Sequence, residues 1–340
     1  MRVLITGAQG FVGRYVASAV LGTHPDAEVL GLGRSPRLDG CFSHHVTVRG
    51  MTVRARVPDS LFYRDPRYQY KQIALDDTAR LRNVTTWFQP DAVIHLASGL
   101  RGDDWPTLMH TNVAGTASLI KAVGETCRRP AALVLGSTGG VYGPIPPQNL
   151  PVTEATPVNP ADLYSATKVA TEQIGRVLCV EYGMRYVAAR LFNISGPGQS
   201  ERHVCGRFAS AIAEAATSPD SVLRVGCVSS TRDYIDVRDA ASALVLLSES
   251  GTGTFNVASG FETSTETVLN LLIRRAGLEG KQRVERSEGV PEAVPRHAGC
   301  VTRLRTLGYV PAFTLDESLR DVLDYYVEYR ADTGLLPAAG

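Results

Sequence analysis

The stretch Val3-Leu4-Ile5-Thr6-Gly7-Ala8-Gln9-Gly10-Phe11-Val12-Gly13 decides the fold of this 340-residue chain. An apolar run of strand length leads into three glycines, and the segment Gly10–Leu21 that follows has helical spacing of its apolar residues. The three glycines allow a tight turn, close approach of a pyrophosphate and close packing of helix on strand, and the free N–H groups that begin the helix attract phosphate. The residues predicted to form this dinucleotide site are Gly7, Gly10, Phe11, Val12 and Gly13.

Short apolar runs alternate with helix-length segments along most of the chain. This alternation predicts an α/β fold, a Rossmann-type doubly wound parallel sheet with helices on both faces and a smaller C-terminal α/β substrate-binding lid. The predicted strands are Val3–Ile5, Val29–Leu32, Ala92–Leu96, Ala132–Leu135, Tyr186–Leu191 and Thr254–Val257. The predicted helices are Gly10–Leu21, Ala114–Cys127 and Ala161–Tyr182.

Two regions that interrupt the alternation define the predicted domains. We expect residues 1–190 with 230–257 to form the dinucleotide-binding domain, and residues 191–229 with 258–335 to form the lid over the carboxyl edge of the sheet. Residues 34–72 are too long for a simple crossover and carry eight Lys or Arg against three Asp. A hairpin is predicted there around Arg49-Gly50. Three roles remain open for this basic segment: part of a phosphate site, an oligomer contact or a solvated insertion.

Composition and charge exclude several classes of function. The formal net charge of +1 gives no overall field that would favour nucleic acid or an anionic membrane, so neither is an expected partner. The six cysteines are scattered without a Cys-x-x-Cys spacing, which argues against a disulfide framework and against a metal site. No apolar run has the length of a membrane span, and the chain opens with a strand instead of a signal peptide. We therefore expect a cytoplasmic protein.

The end of the second predicted strand indicates which nicotinamide cofactor is preferred. NAD sites usually have an acid there for the ribose hydroxyls, whereas NADP sites have a cation for the 2′-phosphate. The sequence reads Gly31-Leu32-Gly33-Arg34-Ser35-Pro36-Arg37, with no acid before Asp39. Arg34 is the predicted phosphate partner unless it simply points into solvent. NADP is therefore the preferred cofactor, with NAD as the alternative.

A second motif, Tyr164-x-x-x-Lys168, carries the predicted chemistry. Residues four apart on a helix share one face, so the phenol and the ammonium can meet the same substrate. A nearby cation favours the phenolate and fits Tyr164 for proton transfer at a carbonyl or an alcohol. Thr138 closes the strand that precedes this helix, and its hydroxyl can hydrogen-bond the same substrate oxygen.

These features together resemble the extended short-chain dehydrogenase/reductase family, the NAD-dependent epimerases and dehydratases of nucleotide sugars. The resemblance covers nearly the whole chain. The matching motifs are His95-Leu96-Ala97-Ser98, Asn112-Val113-x-Gly115-Thr116, Ser137-Thr138-x-x-Val141-Tyr142-Gly143, Tyr164-Ser165-x-Thr167-Lys168, Arg190-x-Phe192-Asn193-x-x-Gly196-Pro197-Gly198 and Arg232-Asp233-Tyr234-Ile235-Asp236-Val237-Arg238-Asp239.

The resemblance implies a role for each matching residue. It makes Tyr164 the acid and base of a catalytic triad with Thr138 and Lys168, and Lys168 would also hold the nicotinamide ribose. Cofactor residues implied beyond the glycine turn and Arg34 are Leu75, Leu96, Ala97, Ser98, Asn112, Tyr164, Lys168 and Leu191. Residues implied to bind a nucleotide-sugar substrate are Ser137, Thr138, Asn193, His203, Arg207 and Arg232, with Asn193 and Arg232 on its phosphates. Members often have an acid before Leu75 for the adenine amine, but this chain has Ala74, so Asp76, Asp77 or the main chain would serve.

Two glycines bear on which reaction is expected. The 4,6-dehydratases carry Asp-Glu after the threonine, whereas this chain has Gly139 and Gly140, so we expect no dehydration. The segment Phe192–Ser200 resembles the GDP-4-keto-6-deoxy-mannose reductases and related deoxysugar 4-ketoreductases, which implies reduction of a GDP- or dTDP-linked 4-keto-6-deoxyhexose. His203 matches the spacing of an epimerisation acid, but its usual cysteine partner is replaced by Gly140.

Three further expectations complete the sequence-based interpretation. The alternative reaction is that of a nucleotide-sugar 4-epimerase with bound NAD, which uses the same three catalytic residues. A more remote alternative is a non-catalytic NADP-binding subunit, against which the intact triad argues. The resemblance also implies a homodimer formed through the helices at 114–127 and 161–182.

Overall fold

The computed structural model describes residues 1–48, 50–61, 64–129, 131–217, 222–281, 283–286 and 294–331. Within these ranges it has fifteen strands and ten α-helices. The strands β1 to β15 are Arg2–Thr6, Glu28–Gly33, Cys41–Val48, Met51–Arg56, Tyr68–Gln72, Ala92–His95, Ala132–Thr138, Arg185–Leu191, Asn193–Ser195, Val222–Val225, Thr231–Asp236, Gly253–Val257, Glu262–Ser264, Arg283–Arg286 and Arg296–His297. The helices α1 to α10 are Phe11–Thr23, Thr78–Phe88, Trp105–Leu108, Gly115–Thr126, Leu163–Glu181, Val204–Ala215, Val237–Ser250, Thr265–Arg275, Thr302–Arg305 and Leu315–Ala331.

Seven parallel strands form the central sheet, in the order β5-β2-β1-β6-β7-β8-β12. The chain winds outward from β1 first in one direction and then in the other, which is the doubly wound arrangement that the sequence predicted. All six predicted strands lie in this sheet, and the seventh, β5, was not predicted. The order reverses between β1 and β6, and ligands of such sheets bind at the carboxyl ends of the strands there.

Alternate residues of β1, at the centre of the sheet, enter separate hydrophobic clusters on its two faces. Val3 and Ile5 of β1 belong to the cluster under α1 and α7, while Leu4 belongs to the cluster under α2 and α4. All three side chains are fully buried, and each contributes about 1.5–3 kcal/mol to stability. Helices therefore cover both faces, as a parallel sheet with near-continuous apolar strands requires.

The lid is built on two small sheets above the carboxyl edge. One sheet has the order β13-β11-β15 with β9 paired to β11, and the other pairs β10 with β14. Strand β11 therefore belongs to the lid, whereas α7 directly after it packs on the central sheet. The domain boundary predicted at residue 230 therefore lies later in the chain, at Val237, where α7 returns to the central sheet. Every helix in the described part of the chain is too short or too polar to cross a lipid bilayer.

A hairpin of β3 and β4 replaces the usual crossover helix between β2 and β5. Its strands pair in the register Val46↔Val53 and Val48↔Met51, and the turn residue Arg49 lies outside the described residues. The apolar side chains Phe42, Val46 and Val48 are almost completely buried, so the segment is not a solvated insertion. The hairpin predicted from the sequence is present. Its apolar side chains pack into the hydrophobic core, a role that the basic composition of the segment did not reveal.

The hairpin contacts both the glycine turn and the lid. On one side, Ser43 N donates to the Gln9 carbonyl at 2.8 Å. On the other side, His44 Nε2 donates to the Gly198 carbonyl at 2.8 Å, and the Tyr325 hydroxyl of α10 donates to the Arg56 carbonyl at 3.0 Å. The hairpin therefore joins the two domains through polar and apolar contacts.

Candidate active site

The glycine turn between β1 and α1 is shaped to receive a phosphate group. Gly7 has a φ of +69°, and a Cβ there would lie 2.9 Å from the main-chain nitrogen of Ala97. A Cβ on Gly13 would collide with the Gly7 carbonyl, so the helix can approach the strand only with glycine at that position. Helix α1 begins without a side-chain cap at Gly10, which leaves its first N–H groups for a ligand. These residues fit the pyrophosphate of a dinucleotide.

The loop after β2 is held in place by Gln9 and leaves Arg34 exposed. Gln9 Nε2 donates to Ser35 Oγ at 2.9 Å and to the Pro36 carbonyl at 2.8 Å. The Arg34 side chain is exposed at the end of β2. The first acid after this strand, Asp39, accepts from Arg37 Nε at 2.9 Å. The end of β2 therefore presents an exposed cation, and the acid that follows it is already paired.

Asp76 and Asp77, two candidates for binding the adenine amine, both have partners within the protein. Asp76 pairs with His110 at 3.1 Å, and Asp77 caps α2 by accepting from Arg80 N at 3.0 Å. Leu75 packs against Gly115: a Cβ added to Gly115 would lie 3.0 Å from the Cβ of Leu75. Since both carboxylates already have partners, the main chain is the better candidate for the adenine amine.

A buried chain of hydrogen bonds fixes the strand ends around Leu96 and Ala97. Ala97 N donates to Thr6 Oγ1 at 3.1 Å, and the Thr6 hydroxyl lies 2.6 Å from His95 Nδ1. His95 Nε2 lies 2.8 Å from Thr116 Oγ1, whose hydroxyl donates to the Asn112 carbonyl. Burial lowers the pKa of His95 to about 3, so the ring is neutral and donates from Nε2.

Asn112 connects this framework to α5, the helix that carries Tyr164 and Lys168. It lies in a π-helical turn, Met109–Ala114, that leads into α4, and such turns are frequent at functional sites. Its Oδ1 accepts from Gly99 N at 2.7 Å and from Ser98 Oγ at 3.0 Å, while its Nδ2 donates to Thr167 Oγ1 at 2.9 Å. Asn112 therefore positions Ser98 relative to α5 with both ends of its amide.

Lys168 lies at the base of the site. It is almost completely buried, and its Nζ donates to the Gly136 carbonyl at 2.6 Å. Burial lowers the pKa of Lys168 to about 8, although the carboxylate of Glu172 acts in the opposite direction. The ammonium is thus held near the end of β7, and its predicted roles toward a ribose and toward Tyr164 stay predictions.

Tyr164 is half-buried on the same helix, and its surroundings differ from the sequence-based expectation. Burial raises the pKa of Tyr164, while the Ser98 hydroxyl and then the Arg101 guanidinium act to lower it. Among the described residues, no hydrogen bond joins Tyr164 to Lys168. The structure brings the two residues onto one helix face as predicted, but Ser98 is the immediate neighbour of the phenol.

Thr138 stands at the end of β7 with a hydroxyl proton available for a ligand. Its Oγ1 accepts from Gly140 N at 3.1 Å and so caps the short 3₁₀ turn Gly139–Tyr142. Because that bond uses an acceptor position of the hydroxyl, its proton can be donated to a substrate oxygen. The predicted role of Thr138 agrees with this geometry.

Ser137 faces away from Thr138, into the interior. It is buried, and its Oγ donates to Glu172 Oε1 at 2.5 Å. Glu172 also receives two bonds from Arg190, at 2.8 Å and 3.1 Å, and this pair is buried as well. The Ser137 side chain is therefore committed to this network, which leaves only its main chain for the predicted contact with substrate.

Two side chains occupy the space beside Gly139: Phe192, which belongs to a matching motif, and His297, which the sequence analysis did not name. A Cβ on Gly139 would lie 2.7 Å from His297 Cε1 and 3.1 Å from the Phe192 ring. His297 donates from Nε2 to the Gly139 carbonyl at 3.0 Å and stacks on Phe192 with ring centroids 4.6 Å apart. Burial, followed by the Arg232 guanidinium, lowers the pKa of His297 to about 4. His297 lies on the two-residue strand β15, and no sequence motif included it.

Arg101 is the second residue that sequence reasoning missed. It follows the carboxyl end of β6, and its Nη2 pairs with Asp162 Oδ2 at 2.8 Å. The same nitrogen lies 3.4 Å from the point that a Cβ on Gly140 would occupy. The one available signal was a cation shortly after a central strand, at the edge where ligands bind.

The predicted substrate residues fall into two groups. Asn193 on β9 donates from Nδ2 to the Asp233 carbonyl at 3.3 Å, and the half-buried Arg232 on the adjacent β11 donates to the Thr231 carbonyl at 2.7 Å. His203 and Arg207 are exposed at the start of α6. The structure thus places one pair on the lid sheet and the other pair on a helix N-terminus, where anions are favoured.

Comparisons with known proteins agree with this geometry. A family model described as the NAD dependent epimerase/dehydratase family matches residues 3–258. The chain is 34% identical over 248 residues to GDP-6-deoxy-D-mannose reductase of Pseudomonas aeruginosa, covering 69% of this chain and 79% of the relative. It is 27% identical over 340 residues to UDP-glucose 4-epimerase of Mycolicibacterium smegmatis, covering 96% and 98%. It is 26% identical over 351 residues to dTDP-glucose 4,6-dehydratase of Streptomyces griseus, covering 99% of each.

Solved structures of similar fold contain both forms of nicotinamide cofactor. RMD from Pseudomonas aeruginosa complexed with NADPH matches with a TM-score of 0.78 and 25% identity, covering 96% of this chain and 99% of that one. The Thermus thermophilus UDP-glucose 4-epimerase complex with NAD matches with a TM-score of 0.77 and 26% identity, covering 96% and 99%. The fold and the cofactor class of the site therefore have precedents along nearly the whole chain.

Proposed function

Because this chain belongs to the NAD dependent epimerase/dehydratase family, we propose that it reduces the 4-ketone of a nucleotide-linked 4-keto-6-deoxyhexose, with NADPH as the reductant. The family assignment makes the protein an NAD(P)-dependent enzyme that modifies nucleotide sugars. The proposal adds the direction of the reaction, the class of sugar, and GDP or dTDP as its nucleotide.

The observation that carries the proposal is the end of β2. Arg34 is exposed there, and the acid that follows, Asp39, is paired with Arg37, so the site offers a cation to the adenosine ribose. This arrangement favours NADP over NAD. An NADPH that exchanges with solution is consumed as a reductant, whereas an epimerase retains its cofactor and returns the hydride. The similarity to GDP-6-deoxy-D-mannose reductase supports the same reaction.

In the proposed reaction, Tyr164 and Thr138 act on the oxygen of the ketone. When bound, NADPH supplies the hydride that adds to C4 of the sugar. Tyr164 donates its phenolic proton to the oxygen as negative charge develops there. Thr138 donates a hydrogen bond that holds this oxygen in line with the phenol. Lys168, one turn further along the same helix, contributes positive charge and would hold the nicotinamide ribose.

Gly139 and Gly140 support reduction over dehydration. Glycine offers no side chain to move a proton, and the space beside Gly139 is filled by His297 and Phe192. An acid at that position would have to displace both rings. The proton chemistry therefore remains with Thr138 and Tyr164.

A nucleotide-sugar 4-epimerase with bound NAD is the second candidate. The similarity to UDP-glucose 4-epimerase extends over 96% of the chain, and the same three side chains would serve that reaction. The reduction and the epimerisation differ in whether reductant is consumed.

A homodimer through α4 and α5 remains part of the proposal. The exposed Val177 and Val180 on α5 support it.

The proposal is tested by mixing the protein with NADPH and a panel of GDP- and dTDP-linked 4-keto-6-deoxyhexoses. We expect loss of dihydronicotinamide absorbance in a one-to-one ratio with the sugar alcohol formed. Denatured protein should release little NAD when its bound ligands are measured by mass spectrometry. Tightly held NAD, together with interconversion of C4 alcohols and no net loss of NADPH, would establish the epimerase reaction instead.

A further inference from the structure

We propose that Arg101 is a positioning residue for Tyr164: held by Asp162, its guanidinium supplies positive charge that favours the phenolate and sets the pH range of proton donation. The inference rests on the proposed function in one respect only, namely that Tyr164 is the proton donor. Nothing in the sequence motifs assigns a role to Arg101, which lies outside all of them.

Arg101 is anchored to the helix that carries Tyr164. Its Nη2 lies 2.8 Å from Asp162 Oδ2, while Asp162 Oδ1 accepts from Ser165 N at 2.8 Å and so caps the first turn of α5. One oxygen of this carboxylate therefore binds the guanidinium, and the other caps the helix. The ion pair consequently has a fixed place beside the first residues of α5, where Tyr164 lies.

Arg101 and Thr138 both border the space beside Gly140. The position of a Cβ on Gly140 would be 3.4 Å from Arg101 Nη2 and also 3.4 Å from Thr138 Oγ1. A Cβ at Gly140 would touch both atoms at an ordinary van der Waals distance, so the guanidinium and the Thr138 hydroxyl border the same small space at the end of β7. Arg101 reaches this space from the loop after β6.

The charged groups around Tyr164 come from two elements. Arg101 faces it from the loop after β6, and Asp162 faces it from the start of α5, while Lys168 lies one turn further along that helix. Arg101 lowers the pKa of Tyr164 and Asp162 raises it, after the larger effects of burial and of the Ser98 hydroxyl. The Lys168 ammonium is directed to the Gly136 carbonyl.

Arg101 differs from Lys168 in how firmly it retains its charge. Burial lowers the pKa of Lys168 to about 8, so this ammonium titrates within the working range of many enzymes. A guanidinium stays protonated throughout that range. Burial lowers the pKa values of Arg232 and His297, and the charge of Arg101 acts in the same direction on both. Arg101 therefore brings a positive charge to the start of α5.

The size of the effect follows from exposure. The Arg101 side chain is 67% exposed, so water and salt screen its charge strongly. We expect its removal to raise the apparent pKa of Tyr164 by about 0.5–1 pH unit, a three- to tenfold change in the ionisation constant. The effect should shrink as ionic strength rises.

The test compares four proteins: wild type, Arg101→Gln, Arg101→Lys and the matched control Arg274→Gln. Arg274 is 63% exposed and also forms an ion pair, with Glu279 at 3.1 Å, but it lies on α8 away from the site. Rates with NADPH and a 4-keto substrate are measured from about pH 6 to 10. Arg101→Gln should move the limb assigned to Tyr164 upward, Arg101→Lys should largely restore it, and Arg274→Gln should leave it in place.

A second readout does not need turnover. Tyrosinate absorbance is titrated in each protein, and the same titration of Tyr164→Phe is subtracted to isolate this one phenol. Arg101→Gln should raise the isolated pKa, Asp162→Asn should lower it, and the double variant should return close to wild type because the two charges are removed together. Asparagine retains the helix cap, so folding is preserved.

Each outcome decides the inference separately from the proposed function. An isolated Tyr164 titration that is the same in wild type and Arg101→Gln overturns it. A raised KM with an unmoved pH profile also overturns it, since Arg101 would then bind substrate. If the titration shifts as expected but no ketone is reduced, the inference about Arg101 holds and the proposed reaction fails.

Discussion

Replacing Arg34 with alanine should weaken NADPH binding while leaving NADH binding almost unchanged. The reason is the position of its side chain, which is exposed at the end of β2 where the 2′-phosphate of NADPH would lie. NADH has a hydroxyl there and gains little from a guanidinium. The prediction therefore concerns the ratio of the two dissociation constants.

The magnitude follows from the kind of contact that is lost. A charge-assisted hydrogen bond to phosphate contributes about 1.5–3 kcal/mol, which is about 10- to 150-fold in Kd. Because Arg34 is exposed, we expect a value near the lower end, and one that falls as salt is added. Arg37→Ala is the matched control on the same loop, since its guanidinium is already engaged by Asp39. It should change the ratio much less.

The assay is titration of cofactor fluorescence with NADPH and with NADH, for wild type and both variants, at two salt concentrations. A loss that is equal for the two cofactors would remove Arg34 from the 2′-phosphate site. A larger effect for Arg37→Ala than for Arg34→Ala would transfer the phosphate contact to Arg37. Either result would also weaken the argument for a consumed NADPH.

The remaining predictions concern the chemistry and the buried ion pair. Tyr164→Phe should lower the reduction rate about 10²- to 10⁴-fold with little change in NADPH affinity, whereas Lys168→Ala should damage both; single-turnover rates and cofactor titrations separate the two effects. Wild-type protein incubated with GDP-mannose or dTDP-glucose and oxidised cofactor should give no 4-keto-6-deoxy product by mass spectrometry, and the appearance of one would contradict the argument from Gly139. Glu172→Ala should reduce the free energy of unfolding by about 3–5 kcal/mol, because it leaves the buried Arg190 unpaired; a denaturant midpoint equal to that of wild type would refute this.

Local signals in the sequence predicted the central sheet and the catalytic helix. The glycine turn and the Tyr164–Lys168 spacing each depend on a few adjacent residues, and the structure contains both as expected. The sequence could also have predicted the direction in which the Ser137 side chain points. Neighbouring residues of a strand point to opposite faces, so Ser137 and Thr138 could not both present their side chains to a substrate.

Other parts of the site depend on contacts between segments that are distant in the chain. His297 reaches Gly139 from a position 158 residues later, through pairing of β15 with β11. Arg101 acquires its surroundings from Asp162 on another element. No local pattern marks His297, and the only signal for Arg101 was a cation shortly after a central strand, because the neighbours of both residues are determined only when the lid and the loops are in place.

The hairpin of β3 and β4 has a mechanical consequence for the lid. Phe42 is fully buried, contacts Phe11 beside the glycine turn at a centroid distance of 6.1 Å, and fills the space over Gly198 in the lid. Separating the lid there would expose this ring together with the tyrosines of α10. On the opposite side, His297 meets Gly139 through one hydrogen bond and stacks on Phe192. The segment around His297 is also bound to the dinucleotide-binding domain, because Val152 exchanges main-chain hydrogen bonds with Ala298 and Cys300 at 2.9 Å and 2.7 Å. The lid is therefore attached on both sides of the site, and the burial of Phe42 opposes its separation at the hairpin.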